Sequence, residues 1–541
     1  MAPEHRRRLP TAIRNGGVAL ALAAGLAGLA GCGSSDDDKT TPTQTPIPKT
    51  TPAATATSET PPTPKVASFT GTAYPNVDVS NTRDSDGPIT AKTVDTLQEA
   101  WRVPLTAKSQ YGSYSSSPVV ADGVVYSQDL VSDVQAIDLK TGDVLWTKEY
   151  ASPDQGPNGV VVANGRVFGA TATSAFALDQ KTGKELWSKE LIRNSGEGID
   201  MSPGYHDGLV YVSTVPGNNT KFYGGGGVGV LWALDAKTGK RKWTFNTVPK
   251  NLWKDADFNS GGGLWHAPSF DKDGGMYFGV GNPAPFPGTE SEPWGSSRPG
   301  KNLYTDSLVK LDAKTGKLQW YYQLTPHDLF DWDLQNPPIL TTVNGRDAVV
   351  TSGKSGIVIA VDRQTGELLW KRPVGKHNGH DKDGVAAMKG DYDNLKLPLE
   401  VYPGTLGGVI APMSTDGSLV FAPVVNNSIQ YQSQTQSQPG AEMTGELNAI
   451  DLDTGKVRWK RRFDSAAFGA TSVTNDVVFT TTFDGYVRAF STKTGKPLWE
   501  QQLPSGINTG VTVHDDTVLA PAGIATQQGQ APALVAYRLK K

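Results

Sequence analysis

Thr325 to Asp333 reads TPHDLFDWD and puts three carboxylates into nine residues. In an extended segment residues two apart project to the same side, so Asp331 and Asp333 could share one cation. A carboxylate beside a hydroxyl that the same cation holds can take the hydroxyl proton. The plainer reading of this stretch is an acidic surface turn. Lys354 lies in the Gly-Ser turn of VTSGKSGIVIAVDRQTG, where a lysine is ordinarily solvated but, if fixed in a site, would stabilise a developing oxyanion. Trp265 in GGGLWHAPSFD and Asn282 in GVGNPAP complete the set, although GNP alone is a common turn and a lone tryptophan is as readily a core residue. Other constellations are weaker. HNGHDKDG at His377 to Gly384 is an HxxH in a polar loop without further ligands. GGGG at Gly224 to Gly227 lacks the Lys-Ser/Thr of a phosphate loop, and no GxSxG supports a serine nucleophile.

These residues must be positioned by a repeat. The pattern AxDxxTGxxxW recurs seven times, beginning at Ala136, Ala177, Ala233, Lys310, Ala360, Ala449 and Ala489. Alternating apolar residues, a Thr-Gly turn and a second apolar run predict strand, turn, strand in each copy. Repeats of forty-odd residues with several short strands signify a propeller. LQEAWRVPL around Trp101 and ALVAYRLKK around Tyr537 are two half-motifs that complete each other if the ends meet, which predicts eight blades closed by N- and C-terminal strands. Each repeat tryptophan is expected to wedge between blades with its indole N–H on a backbone carbonyl. Eight of the 13 tryptophans serve the repeat, which leaves Trp265 outside it. Two long insertions, Trp253 to Thr305 and Lys376 to Gly408, are where a ligand pocket is expected.

The amino terminus carries a different signal. Arginines at 6, 7, 8 and 14 precede an uncharged stretch ending Leu29, Ala30, Gly31, Cys32, a signal peptide with a lipobox over residues 1–31. Cys32 is the expected lipidation site. Between Thr40 and Pro64 there are ten Thr and seven Pro, so residues 32–66 read as an extended tether and 67–541 as the propeller. The protein is therefore expected outside the cytoplasm, on a membrane through its lipid anchor. A single cysteine excludes an intrachain disulfide, and no CxxCH encodes a c-type haem. A net charge of −3 argues against a nucleic-acid partner.

The repeats and loops of residues 97–541 resemble the pyrroloquinoline-quinone alcohol dehydrogenases, the family that includes methanol dehydrogenase. TPHDLFDWD is similar to the family's TPHDxWDxD, with Phe330 in place of Trp. The resemblance implies Asp331 as general base and Asp333 as the extra metal carboxylate of lanthanide-using members. It implies Asn282 as a metal ligand through its side-chain oxygen, Trp265 as the flat floor beneath the cofactor, and Lys354 as the cation beside the quinone carbonyls. Three departures stand against this. The family's metal-binding Glu aligns with Asn218, the adjacent-cysteine disulfide is missing near Asn158 and Gly159, and GGxNW becomes Gly407 to Ala411, with Ile410 among the replacements. Two carboxylates and two neutral ligands match calcium-type members, so Ca²⁺ is expected over a lanthanide.

The resulting expectation is a lipid-anchored quinoprotein oxidising a small alcohol by hydride transfer to pyrroloquinoline quinone. Its electrons would leave to a separate acceptor. The rival is a non-catalytic propeller that serves as an assembly or protein-binding scaffold.

Overall fold

Every copy of the repeat folds as two antiparallel strands in one register. Its first residue lies opposite its tryptophan, as in Ala136 with Trp146, Ala233 with Trp243 and Ala489 with Trp499, and a one-residue irregularity follows. The turn is set by the Asp of the motif: Asp138 Oδ1 accepts the amides of Lys140 and Thr141, both at 2.8 Å. Such side-chain-to-backbone bonds are why Asp favours tight turns.

The computed structural model describes residues 69–217, 227–254 and 256–540. The fold is an all-β propeller. Among the described residues there are seven four-stranded antiparallel sheets and an eighth to which Thr72–Ala73 adds a fifth strand. One short α-helix, Asp383–Ala387, lies in the second insertion. The strand Leu97–Pro104 pairs with Ala533–Leu539, and Trp101 lies opposite Ala536, the register seen within each intact repeat.

The repeat tryptophans join neighbouring sheets. The indoles of Trp101, Trp146, Trp187, Trp243, Trp320, Trp370 and Trp459 donate at 2.7 to 3.2 Å to the carbonyl of the residue one past the turn Asp (Ser491 in the last copy) of the next repeat. The same ring covers the next repeat's Thr-Gly glycine. Gly183 has φ 68°, and a Cβ there would meet the Trp146 ring at 2.6 Å. Glycine is thus required twice over, for backbone conformation and for close approach.

A segment absent from the repeat lies across several sheets. Residues 79–85 run past four inner strands: the carbonyls of Val79, Ser80, Thr82 and Arg83 accept the amides of Phe270, Leu340, Thr415 and Val473. Arg83, fully buried, donates to the carbonyls of Thr471 and Val511 and to the side chains of Asn76 and Ser472. Every inner-strand amide capped this way is one fewer unsatisfied buried group. Residues of the two insertions pack in one cluster with the TPHDLFDWD segment and Tyr431: Trp294, Leu395 and Leu399 lie with Phe330, Trp332 and Tyr431.

Candidate functional site

Four of the expected residues converge around one ammonium. Lys354 Nζ hydrogen-bonds Asp331 Oδ2 at 2.8 Å, lies 2.7 Å from Asp333 Oδ2, and sits 4.5 Å from the centre of the Trp265 ring. Asn282 joins through its backbone, its amide donating to Asp333 Oδ1 at 2.7 Å, while its side-chain Nδ2 donates to Pro283 O. Asn218 and Cys32 lie outside the described residues.

The two carboxylates converge for a different reason from the one the spacing suggests. Asp331 has φ 64°, a left-handed conformation, so the segment is a turn and not an extended strand. Asp328 holds that turn: its Oδ1 accepts the amide of Phe330 at 2.8 Å and its Oδ2 that of Trp332 at 2.7 Å. Trp332 anchors the exit by donating to Pro403 O. Phe330 is fully buried, 5.1 Å from Trp332 and 6.0 Å from Tyr431 between ring centres, and supports the turn from behind.

Asp331, Lys354 and Trp265 line a cavity of about 780 Å³. Asp331 Oδ1 is buried and has no hydrogen-bond partner. Burial raises the Asp331 carboxyl well above the usual range, opposed by the Lys354 ammonium and reinforced by Asp333. Burial works against the Lys354 ammonium, yet Asp331 and Asp333 together hold its pKa above the ordinary value.

Sequence reasoning missed a second layer of charge. Asp306 is fully buried and neither carboxylate oxygen has a partner; the adjacent Thr305 hydroxyl donates instead to Asn302 O. Burial, then Asp328 and Asp333, raise Asp306 well above the usual range. Arg298, also fully buried, donates to Asp328 O and to Asn302. No motif marks Asp306 or Arg298; the folding of the first insertion, which carries Arg298 and ends at Thr305 beside Asp306, brings them here. On the cavity wall Asp200 is another missed acid, raised well above the usual range by burial and by Asp154.

A cation shared by Asp331 and Asp333 would have to displace the Lys354 ammonium from them. Asp306, Asp328, Asp331 and Asp333 give four negative charges when ionised, against Lys354 and Arg298, so a divalent ion would balance the remainder. Among the described residues no three His, Cys, Asp or Glu side chains converge on a point, so the direct carboxylate ligands would be Asp331 and Asp333. The cavity volume lies within the range of about 300 to 1,000 Å³ usual for cofactor sites, and Trp265 is half-buried in its wall with the Lys354 ammonium over its ring.

The propeller is similar in fold to the quinoprotein alcohol dehydrogenases. Residues 84–165 and 195–378 match the glucose/ethanol/alcohol dehydrogenase β-propeller domain, and the second stretch contains all five expected site residues described above. The chain belongs to the pyrroloquinoline-quinone-dependent alcohol dehydrogenase family. It is 29% identical over 520 residues to the quinohemoprotein alcohol dehydrogenase of Comamonas testosteroni, covering 82% of this chain and 70% of that protein. It is 28% identical over 507 residues to the quinoprotein ethanol dehydrogenase of Pseudomonas aeruginosa, covering 77% and 79%. The solved Comamonas structure superposes with a TM-score of 0.72 at 26% identity, over 87% of this chain and 82% of that one. Residues 132–254 and 412–540 also match the outer membrane protein assembly factor BamB. At family level the chain is an oxidoreductase of the alcohol dehydrogenase type.

Proposed function

We propose that the protein oxidises an alcohol using bound pyrroloquinoline quinone and Ca²⁺, with Asp331 as the proton acceptor. The observation that carries this reading is the partnerless Asp331 Oδ1 at the wall of the cavity, on a carboxylate whose other oxygen is tied to Lys354. The quinone, when bound, supplies the two-electron acceptor for the carbinol hydride, and the divalent cation supplies Lewis acidity. Trp265 provides the stacking face. Lys354 fixes Asp331 Oδ2, so that Oδ1 takes the hydroxyl proton. Burial makes Asp331 a stronger base than an exposed aspartate, which suits that task. Asp333 and Asn282 would hold the cation with Asn218 as a further ligand, and Asp331 would join them where the cation displaces Lys354. A trivalent lanthanide is the poorer match for two direct carboxylates.

The eight sheets are read as eight blades closed by the pairing of Leu97–Pro104 with Ala533–Leu539, supported by the shared Trp101 and Ala536 register. The lipobox at Leu29 to Cys32 supports a location outside the cytoplasm on a lipid anchor, from which electrons would leave to a separate acceptor. Cys32→Ser should release the protein from the membrane fraction; equal membrane recovery of both forms would remove the anchor.

The match to BamB favours a second reading, a propeller that holds another protein. One experiment separates them. Purified protein loaded with quinone and Ca²⁺ is assayed with an alcohol and an artificial electron acceptor, beside Asp331→Asn. The dehydrogenase reading expects quinone binding in both and a loss of turnover of roughly 10² to 10⁴ in the variant. No quinone retention by the wild type under any metal condition would leave the scaffold.

A further inference from the structure

HNGHDKDG opens the second insertion and packs against the turn that carries Lys354. Its first histidine, His377, stands between two acceptors: Nδ1 lies 2.8 Å from Asp381 Oδ1 and Nε2 lies 3.1 Å from Val374 O. A neutral imidazole carries one N–H, so it can serve only one of these oxygens and turns a lone pair toward the other. Only the imidazolium donates to both. Among the described residues packed against the ring, Asp381 is the charged one, while Val374 and Gly356 present backbone; the neighbouring Lys376 is turned to Glu442 at 2.6 Å. Burial works against the charged ring, and Asp381 with the Val374 and Gly356 backbone outweighs it, so the His377 pKa lies above its ordinary value.

The ring reaches the site through short backbone links. The Gly356 amide donates to Gly353 O at 3.0 Å, which closes a turn with Lys354 inside it, and Gly356 O accepts the Val374 amide at 2.8 Å. A Cβ at Gly356 would meet Val374 O at 2.9 Å, Pro403 at 3.2 Å and His377 Nε2 at 3.3 Å, so the insertion closes tightly around this turn. Asn378 then staples the insertion to its own return: its Nδ2 donates to Glu400 O and its Oδ1 accepts the Tyr402 amide, both at 2.8 Å. Thr405 and Leu406, just beyond, line the cavity.

We infer that His377 is a positioning residue: its imidazolium holds the second insertion against the turn that carries Lys354, and loss of the ring proton loosens that turn. The inference concerns the chain's own contacts and holds with or without quinone. Because the folded pKa lies above the unfolded one of about 6.5, the hold is complete below that pH and is lost as pH rises through the folded value. Acid tightens the turn and mild alkali releases it. A hydrogen bond to a charged group accounts for about tenfold or more in such an equilibrium.

The test uses the full chain without added quinone or metal. Protein isotope-labelled in its histidines is titrated by NMR, with His377→Gln identifying the resonances, and both ring nitrogens of His377 should carry a proton at about pH 6. Hydrogen exchange of the segment 353–358 is then compared at about pH 5.5 and about pH 8.5, with exchange times scaled for the intrinsic rate. Wild-type protection should fall by about tenfold at the higher pH. His377→Arg, which keeps its donors throughout, should stay protected at both, and His377→Gln should be unprotected at both while the strand Val477–Thr482 exchanges as in the wild type. A His377 ring with a single proton at the lower pH, or wild-type protection that does not change with pH, would overturn the proposal whatever the variants do. Equal protection of the wild type and His377→Gln at the lower pH would do the same.

Discussion

Lys354 and Asp331 form a buried ion pair: Nζ lies 2.8 Å from Oδ2, and each residue is only 5% exposed. The same ammonium reaches Asp333, so one lysine stands where a metal shared by the two carboxylates would also have to bind. Lysine and cation therefore compete for the same oxygens.

That competition gives a prediction for Lys354→Met. Removing one partner of a buried pair costs about 3 to 5 kcal/mol, because the remaining charge is left uncompensated. Millimolar Ca²⁺ should recover part of this loss and raise the melting temperature of the variant more than that of the wild type, since ligand binding to the folded state stabilises by mass action. Thermal melts with Ca²⁺ and with EDTA provide the check. Equal Ca²⁺ shifts in the two proteins would mean that the ion does not bind at Asp331 and Asp333.

Asp154 predicts how stability varies with pH. It is 1% exposed, its Oδ2 has no partner, and burial pushes its carboxyl up to about 7. Because the folded value lies above the unfolded one, the stability associated with the neutral form is complete below about pH 4 and is lost as pH rises through about 7. Between pH 5 and pH 8 this single group should lower stability by about 3 kcal/mol. Asp154→Asn keeps the oxygen that accepts the Gly156 amide and should flatten the profile. Urea unfolding at both pH values measures it; identical wild-type and variant slopes would count against the buried-acid account.

How much of this was legible in the sequence depended on whether the cause was local. The pairing of each repeat's first residue with its tryptophan follows from an eleven-residue pattern, and even the split copy could be read because Trp101 and Ala536 obey the same register. That Trp265, Asp331, Asp333 and Lys354 come together is legible through their motifs. The shape of the Asp331 turn was not, because two-residue spacing is compatible with a strand and only the Asp328 bonds to Phe330 and Trp332 decide otherwise. Asp306 and Arg83 left no signal. Their surroundings come from chain segments far apart, as with Arg83 and Thr471, 388 residues distant in sequence.

The docking of tryptophan on glycine can be tested with a matched pair. Gly183 and Gly165 have φ 68° and 74°, so alanine at either carries a similar backbone cost of about 1 to 2 kcal/mol. Only at Gly183 would the new methyl meet a ring, that of Trp146, whereas nothing lies within 4 Å at Gly165. Gly183→Ala should therefore lose a further 1 to 3 kcal/mol, roughly the usual penalty for overpacking. Equal losses by chemical denaturation would show that the ring moves aside freely.

The terminal pairing makes the last prediction. Ala533–Leu539 lies between Leu97–Pro104 and Thr517–Ala522 in its sheet, so removing it exposes edges on both neighbours. It also removes Leu534, Ala536 and Tyr537 from two buried clusters, one of which includes Trp101. Deleting Pro532 to Lys541 should therefore lower the melting temperature of the whole domain by tens of degrees or prevent soluble expression, where trimming Lys540 and Lys541 alone should do neither. Restoring the strand as a separate peptide spanning 530–541 should recover a cooperative melt if the edges remain able to pair. A truncated protein that melts as sharply and as high as the full chain would show that the ring does not need this strand for closure.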